Sequence, residues 1–281
     1  MRVEQLSNNL GIDISGCDLR DLSDSSFEEI YHHWIQHSVV RFREQHLSEV
    51  DLQNFSSRLG PLEYAPHGKI SKKDLQKVKS PFVATISNIV EDGRAIGGLG
   101  SLEAAWHTDM SYIENPPNAS FLYAIEVPAK GGDTYFCDMY AAYDSLPGSL
   151  RKQAEQSFLK HDAAHDSVGG LRRGYEDSAS PVEAPGAIHP MVRIHPETDR
   201  KVLYLGRRQD AYVMGMSLNE SEEFLDSVWA YVALGKDVWT QHWEVGDAVL
   251  WDNRSVMHRR GSFSNDERRL MRRTQIKPTE D

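Results

Sequence analysis

Cysteine is nearly absent: Cys17 and Cys137, far apart and in no CxxC pair, are the only two in 281 residues. That argues against a disulfide scaffold and predicts a reducing compartment, with both thiols serving as small buried hydrophobes. Missing too is any apolar run near the roughly 20 residues that a membrane-spanning helix needs, so no membrane partner is expected. The start, Met1-Arg2-Val3-Glu4-Gln5, leads into polar residues and lacks the apolar stretch of an export signal, which predicts a cytoplasmic protein. Positive charge is also short. Thirty-one Lys and Arg against 42 Asp and Glu leave a net charge of −11, so nucleic acid is not an expected partner.

What is present fits a globular chain. Apolar residues make up 40% of it, and the mean hydropathy is −0.54. With no internal repeat and no low-complexity linker, the simplest architecture is one domain spanning residues 1–281, mostly β with flanking helices. Ser25 and Ser26 stand at capping-box spacing from Glu28 and Glu29, and Phe27, Ile30, Tyr31 and Trp34 form a helical stripe. A strand follows at 38–42. Ser48 and Asp51 open a second helix with Leu52, Phe55 and Leu59 on one face and Gly60 as terminator.

Residues 65–105 read as a variable segment: Lys-rich at first, strand-like at 82–86, then glycine-rich from Gly93 to Gly100 as a mobile loop. Apolar 121–127 and 134–136, joined by Pro128-Ala129-Lys130-Gly131-Gly132-Asp133, carry a hairpin signal. Helical patterns follow at 139–146 and 150–161. The Gly-, Ser- and Pro-rich stretch 165–187 is a candidate lid. Strands are expected at 201–205 and 248–251. Between them Asn219 and Glu222 have capping-box spacing before a stripe of Phe224, Val228, Tyr231 and Val232.

The chemistry starts at His107-Thr108-Asp109. On an extended strand, residues two apart emerge on the same face, so imidazole and carboxylate can share one metal. A lone HxD is equally an ordinary surface or capping pair. His258, after the strand-like 248–251, supplies a third ligand. Two imidazoles and one carboxylate form the facial set associated with non-haem Fe(II), and zinc with three protein ligands is the competing metal. Arg269 lies 11 residues beyond His258, a distance that suits a return along a neighbouring strand, where a planar guanidinium can clamp a carboxylate. Arg273 falls on the same side at strand period two. Of the seven arginines from Arg254 to Arg273, at least four read as a solvated strand edge.

Taken together, Val39-Val40-Arg41-Phe42, Phe55 through Gly60-Pro61-Leu62, Trp106-His107-Thr108-Asp109, Gly131-Gly132-Asp133-Thr134, Trp251-Asp252-Asn253-Arg254 with His258, and Arg268 to Arg273 resemble a known family. It is the Fe(II)/2-oxoglutarate-dependent dioxygenases of the taurine dioxygenase and 2,4-dichlorophenoxyacetate dioxygenase group. The segment Cys137-Asp138-Met139 with Ala141-Ala142-Tyr143 looks nearer to the phenoxyacetate branch.

That resemblance implies a double-stranded β-helix core of jelly-roll, cupin-like type. It implies Fe(II) held by His107, Asp109 and His258, with 2-oxoglutarate and O₂ as cosubstrates. Arg269 and Thr134 would bind the distal carboxylate of 2-oxoglutarate. Arg273 would face a small anionic substrate, and His67 and Asn88 sit near positions that line family pockets. The implied reaction oxidises the substrate, by hydroxylation or with cleavage at a carbon–heteroatom bond, as 2-oxoglutarate becomes succinate and CO₂. Halogenating relatives vacate the carboxylate position, so Asp109 implies oxygen transfer, desaturation or ring formation. Three alternatives stand beside this: a desaturase or cyclase of the same family acting on a natural-product intermediate, a metal-dependent hydrolase, and a non-catalytic 2-oxoglutarate-binding module. The hydrolase needs a positioned base, and no HExxH helix is present. Homo-oligomerisation is left open.

Overall fold

Alternating side chains on two central strands divide the core. In Ala119–Glu126, Phe121 and Tyr123 point one way, into a cluster with Ile30, Trp34, Phe42, Leu52 and Phe55; Leu122 and Ala124 point the other way, toward Phe136, Trp239 and Val256. The neighbouring strand Ala248–Asp252 splits the same way, with Ala248 and Leu250 on the first side and Val249 and Trp251 on the second. Strands covered on both faces need continuous apolar runs, which is what these two carry.

The computed structural model describes residues 1–7, 10–65 and 80–279. An eight-stranded sheet runs in the order Arg2–Gln5, Ile12–Ser15, Val39–Phe42, Ala248–Asp252, Ala119–Glu126, Leu270–Ile276, Ala84–Ser87, Gly98–Leu99. A four-stranded sheet runs Val238–Gln241, Thr134–Asp138, Val256–Arg260, Ala104–His107. The cluster of Leu122, Phe136, Trp239, Val249, Trp251 and Met271 draws on both sheets and joins them. Helices Asp24–His37 and Glu49–Ser57 pack on the first side of the large sheet. Helices Met139–Ser145 and Leu218–Trp229 share a further cluster with Cys137 and Met257. The chain is mostly β with flanking helices, as expected.

Several local expectations are corrected. The first helix is capped by Ser23, whose hydroxyl accepts from Ser26 N, and not by the serines that follow it. The last is capped by Ser217 with Glu220 in a two-way capping box, two residues before the expected pair. Only the Ser48 and Asp51 box stands where it was read. The helical pattern at 150–161 stops at Glu155; Phe158–Lys160 is a strand, with Leu159 buried and Phe158 turned out at period two.

No hairpin joins 121–127 to 134–136, because the two strands belong to different sheets. Gly131 and Gly132, both at positive φ, carry the chain across. A Cβ on Gly131 would sit 2.5 Å from the Ser262 carbonyl oxygen. Nor is Gly93–Gly100 an unstructured loop. Val90–Glu91 pairs with Arg94–Ala95, and Gly98–Leu99 forms the sheet edge beside Ala84–Ser87. Gly97 lies so close to that strand that a Cβ would meet Thr85 O at 2.8 Å, so glycine serves close approach here.

Candidate active site

The small sheet delivers both imidazoles. His107 ends Ala104–His107 and His258 lies within Val256–Arg260, and the two are paired directly across the antiparallel ladder. Their ring centroids are 4.2 Å apart. Asp109 arrives differently from the sequence expectation: the strand stops at His107, and a turn carries the carboxylate round. Asn253, just past Ala248–Asp252, holds that turn. Its Oδ1 accepts from Asp109 N at 2.8 Å, and its Nδ2 donates to Asp109 O at 2.9 Å and Pro117 O at 2.8 Å. Ser120 Oγ donates to Asp109 Oδ2 at 2.7 Å. This leaves Oδ1 at 3.8 Å from His107 Nε2 and 4.0 Å from His258 Nε2, and the three ligand atoms all lie within 4.8 Å of one another.

Metal–ligand bonds of roughly 2.1 Å at right angles put neighbouring ligand atoms about 3 Å apart. The trio is therefore a slightly open version of one face of an octahedron. Its protonation suits a cation. Burial drives both histidines toward the neutral form, and His258, with His107 beside it, is pushed down to about 3. His107 Nδ1 lies 2.7 Å from Ala105 O, where the proton serves, which leaves Nε2 with its lone pair toward Asp109. For Asp109, burial opposes ionisation, but Arg273 overrides it and holds the carboxyl well below the usual carboxylate range. Arg273 Nη1 donates to Asp109 Oδ1 at 2.9 Å.

Arg269 is 2% exposed, and its Nε has no hydrogen-bond partner. Burial, with the Arg260 charge nearby, pushes its pKa down to about 9. It enters from the large sheet and not from a strand adjoining His258, so the expected return along a neighbouring strand is replaced by a crossing between sheets. The Gly132 turn approaches its side chain, with a built Cβ 3.5 Å from Arg269 Nε. Two residues on, buried Thr134 accepts from Trp243 Nε1 at 3.0 Å. A buried guanidinium whose Nε has no partner is a group that a bound anion would satisfy.

Asn88 does not offer its amide to a pocket. Its Nδ2 donates to Glu267 O at 2.7 Å and its Oδ1 accepts from Arg269 N at 3.0 Å, so it fixes the segment that carries Arg269. His67 lies outside the described residues. His195 pairs with buried Asp252 at 2.9 Å and His189 with the Ser111 and Ile113 carbonyls, so both imidazoles are engaged away from the trio. Among the described residues a second trio, Asp162, His165 and Asp210, has metal-like spacing. Arg207 Nη2 fills it at 2.6 Å from Asp162, which supplies the positive charge a cation would bring. Asn253, Ser120 and Arg260 were missed as site residues; only Asn253 carried a signal, as part of the quoted Trp251 to Arg254 stretch.

Comparison with known proteins places this geometry. The model of the family "Taurine catabolism dioxygenase TauD, TfdA family" matches residues 2–275. The chain is 32% identical over 269 residues to the alpha-ketoglutarate-dependent 2,4-dichlorophenoxyacetate dioxygenase of Cupriavidus pinatubonensis, covering 92% of each chain. It is 29% identical over 295 residues to the (S)-phenoxypropionate/alpha-ketoglutarate-dioxygenase of Sphingobium herbicidovorans, covering 98% of this chain and 94% of that one. Its structure is similar to that of AAD-2 in complex with Mn(II) and N-oxalylglycine, with a TM-score of 0.79, 26% identity and coverage of 99% of this chain and 98% of that one.

Proposed function

We propose, from the premise that the chain belongs to the TauD/TfdA family of dioxygenases, that His107, Asp109 and His258 hold its iron, that Arg269 and Thr134 receive the distal carboxylate of 2-oxoglutarate, and that Arg273 faces the prime substrate. The protein is an Fe(II)- and 2-oxoglutarate-dependent dioxygenase, an oxidoreductase acting on a small organic molecule. When bound, iron with 2-oxoglutarate and O₂ supplies oxidation of a substrate C–H bond coupled to formation of succinate and CO₂.

The chain's own residues do the rest. Asn253 and Ser120 aim the Asp109 carboxylate, leaving Oδ1 toward both histidines. Arg269, fixed through its backbone by Asn88, orients the keto acid from its far end. Arg273 keeps Asp109 ionised and presents a cation at the rim of the same site. The observation that carries this reading is the meeting, within 4.8 Å, of two imidazoles that burial drives toward the neutral form and one carboxylate that Arg273 holds ionised.

The cluster shared by the two sheets supports a double-stranded β-helix, and a large sheet whose strands come from both ends of the chain, Arg2–Gln5 to Leu270–Ile276, supports a single domain over 1–281. Cys17 and Cys137, both free, fit the cytoplasm. Relatives named for phenoxy acids and this site's arginines support an anionic substrate. The test is anaerobic addition of Fe(II) and 2-oxoglutarate, which should give the visible charge-transfer band of a chelated keto acid. A panel of aryloxy acids, sulfonates and amino acids, scored by substrate-stimulated succinate release, then ranks substrates. No band from iron-loaded protein would refute the assignment.

A further inference from the structure

The 165–187 segment is tied to both stretches that carry metal ligands. Ser167 O accepts from Ala105 N at 2.8 Å, two residues before His107, and Ala187 N donates to Tyr112 O at 3.0 Å, three residues after Asp109. Between these ties Arg172 lays its guanidinium over the Tyr112 ring, 3.7 Å from the centroid. Tyr112 follows Asp109, whose Oδ1 accepts from Arg273 Nη1 at 2.9 Å, by three residues, so the stack lies on the stretch that carries this ligand. Arg207 reaches the same segment, its Nη1 donating to Asp166 O at 2.5 Å. Arg207 and Arg273 each have a carboxylate partner. Arg172 Nη1, by contrast, is sealed from solvent with no hydrogen-bond partner.

An unmet buried donor on a cation, stacked on an aromatic face beside a metal site, fits a bound oxyanion better than it fits a structural role. Leu171 and Tyr175, 49% and 38% exposed, flank it with apolar surface. We propose that Arg172 is a substrate-recognition residue, receiving the carboxylate, sulfonate or sulfate head of a substrate whose apolar body lies along Tyr112. This rests on the reading of His107, Asp109 and His258 as the iron site.

The test uses the full chain loaded with Mn(II) and N-oxalylglycine, which does not turn over. Phenoxyacetate, hexanesulfonate, hexyl sulfate and neutral phenoxyethanol are titrated in by calorimetry. At least one anion should bind the wild type, and Arg172→Gln should weaken it at least about 30-fold, the equivalent of about 2 kcal/mol, without the same loss for phenoxyethanol. Arg172→Lys should fall between, because it keeps charge but not the planar fork. It carries the comparison alone if Arg172→Gln does not fold. Undiminished anion affinity in the variants, equal loss for the neutral alcohol, or a wild type that binds none of the three anions would overturn the proposal. Failure of the iron reading is separate, since it shows as loss of the Fe(II) and 2-oxoglutarate band in the wild type itself.

Discussion

Replacing Arg269 by methionine tests the cosubstrate pocket through stability and not through turnover. The guanidinium is 2% exposed, and burial with Arg260 takes its pKa from 12.5 to about 9. The difference, 12.5 less 9, is about 3.5 units, so holding this charge costs the ligand-free fold on the order of 5 kcal/mol. The folded value lies below the unfolded one, so the cost is fully present below pH 9 and fades as pH rises from there toward 12.5. Methionine fills similar space without charge, and removing a buried ion in this way is typically neutral or stabilising by about 1–4 kcal/mol. Melts at pH 7.5 should therefore show a ligand-free variant at least as stable as the wild type. Saturating 2-oxoglutarate with Mn(II), at about 100 times its Kd, should add about 2.7 kcal/mol to the wild type and nothing comparable to the variant. A variant that is several kcal/mol less stable, or one that gains as much from 2-oxoglutarate, would show that Arg269 is a structural cation.

Asn253→Ala should weaken Mn(II) binding about 10–100-fold, because Asp109 then keeps Ser120 as its orienting partner but loses the grip on its backbone. Calorimetric titration checks this, and unchanged affinity would mean that Ser120 alone positions the carboxylate. Asp252→Asn should destabilise the fold by about 3–5 kcal/mol, since Arg254 at 2.6 Å and His195 at 2.9 Å both lose a buried anion. Burial opposes ionisation of Asp252, but Arg254 overrides it and depresses its pKa. That stability is therefore present above the unfolded value near ~4 and lost as pH falls. Urea melts should show the gap between wild type and variant wide at pH 7 and narrowing below pH 4; a constant gap would contradict the ion-pair account.

The candidate ligand trio was legible because each member sits beside a local pattern: His107 and Asp109 in one tripeptide, His258 after an apolar run that reads as a strand. The route of Asp109 was not legible, because a turn held by Asn253 depends on a residue 144 positions away. Long-range pairing also undid the hairpin at 121–136. Its Gly-Gly turn has the composition of a hairpin, yet which sheet each strand joins is decided by partners near 250 and 270 for one and near 240 and 258 for the other. Helix caps failed by two residues wherever more than one capping side chain competed, at Ser23 to Ser26 and at Ser217 and Asn219, and held at Ser48, where only one was available. Asn88 was placed near the site, but its bonds to Glu267 O and Arg269 N were not legible, since sequence carries no record of where an amide points.

The division of labour between the sheets explains why this site needs the whole chain. Histidines come from the small sheet, while Ser120, Asn253, Arg269 and Arg273 come from strands of the large sheet or from residues at their ends. Asp109 is the joint: its backbone and Oδ2 are bonded to large-sheet elements, while its Oδ1 faces small-sheet histidines. A register shift of one residue in either sheet would turn the imidazoles or the arginines to the opposite face. Phe136, Trp239 and Trp251, packed with centroids 5.5 Å apart in two pairs, fill the space between the sheets, and His258 stacks on the same group. The position of His258 in the candidate site is therefore held in part by aromatic packing against its own ring, and Phe136→Ala should loosen the two halves of that site against each other.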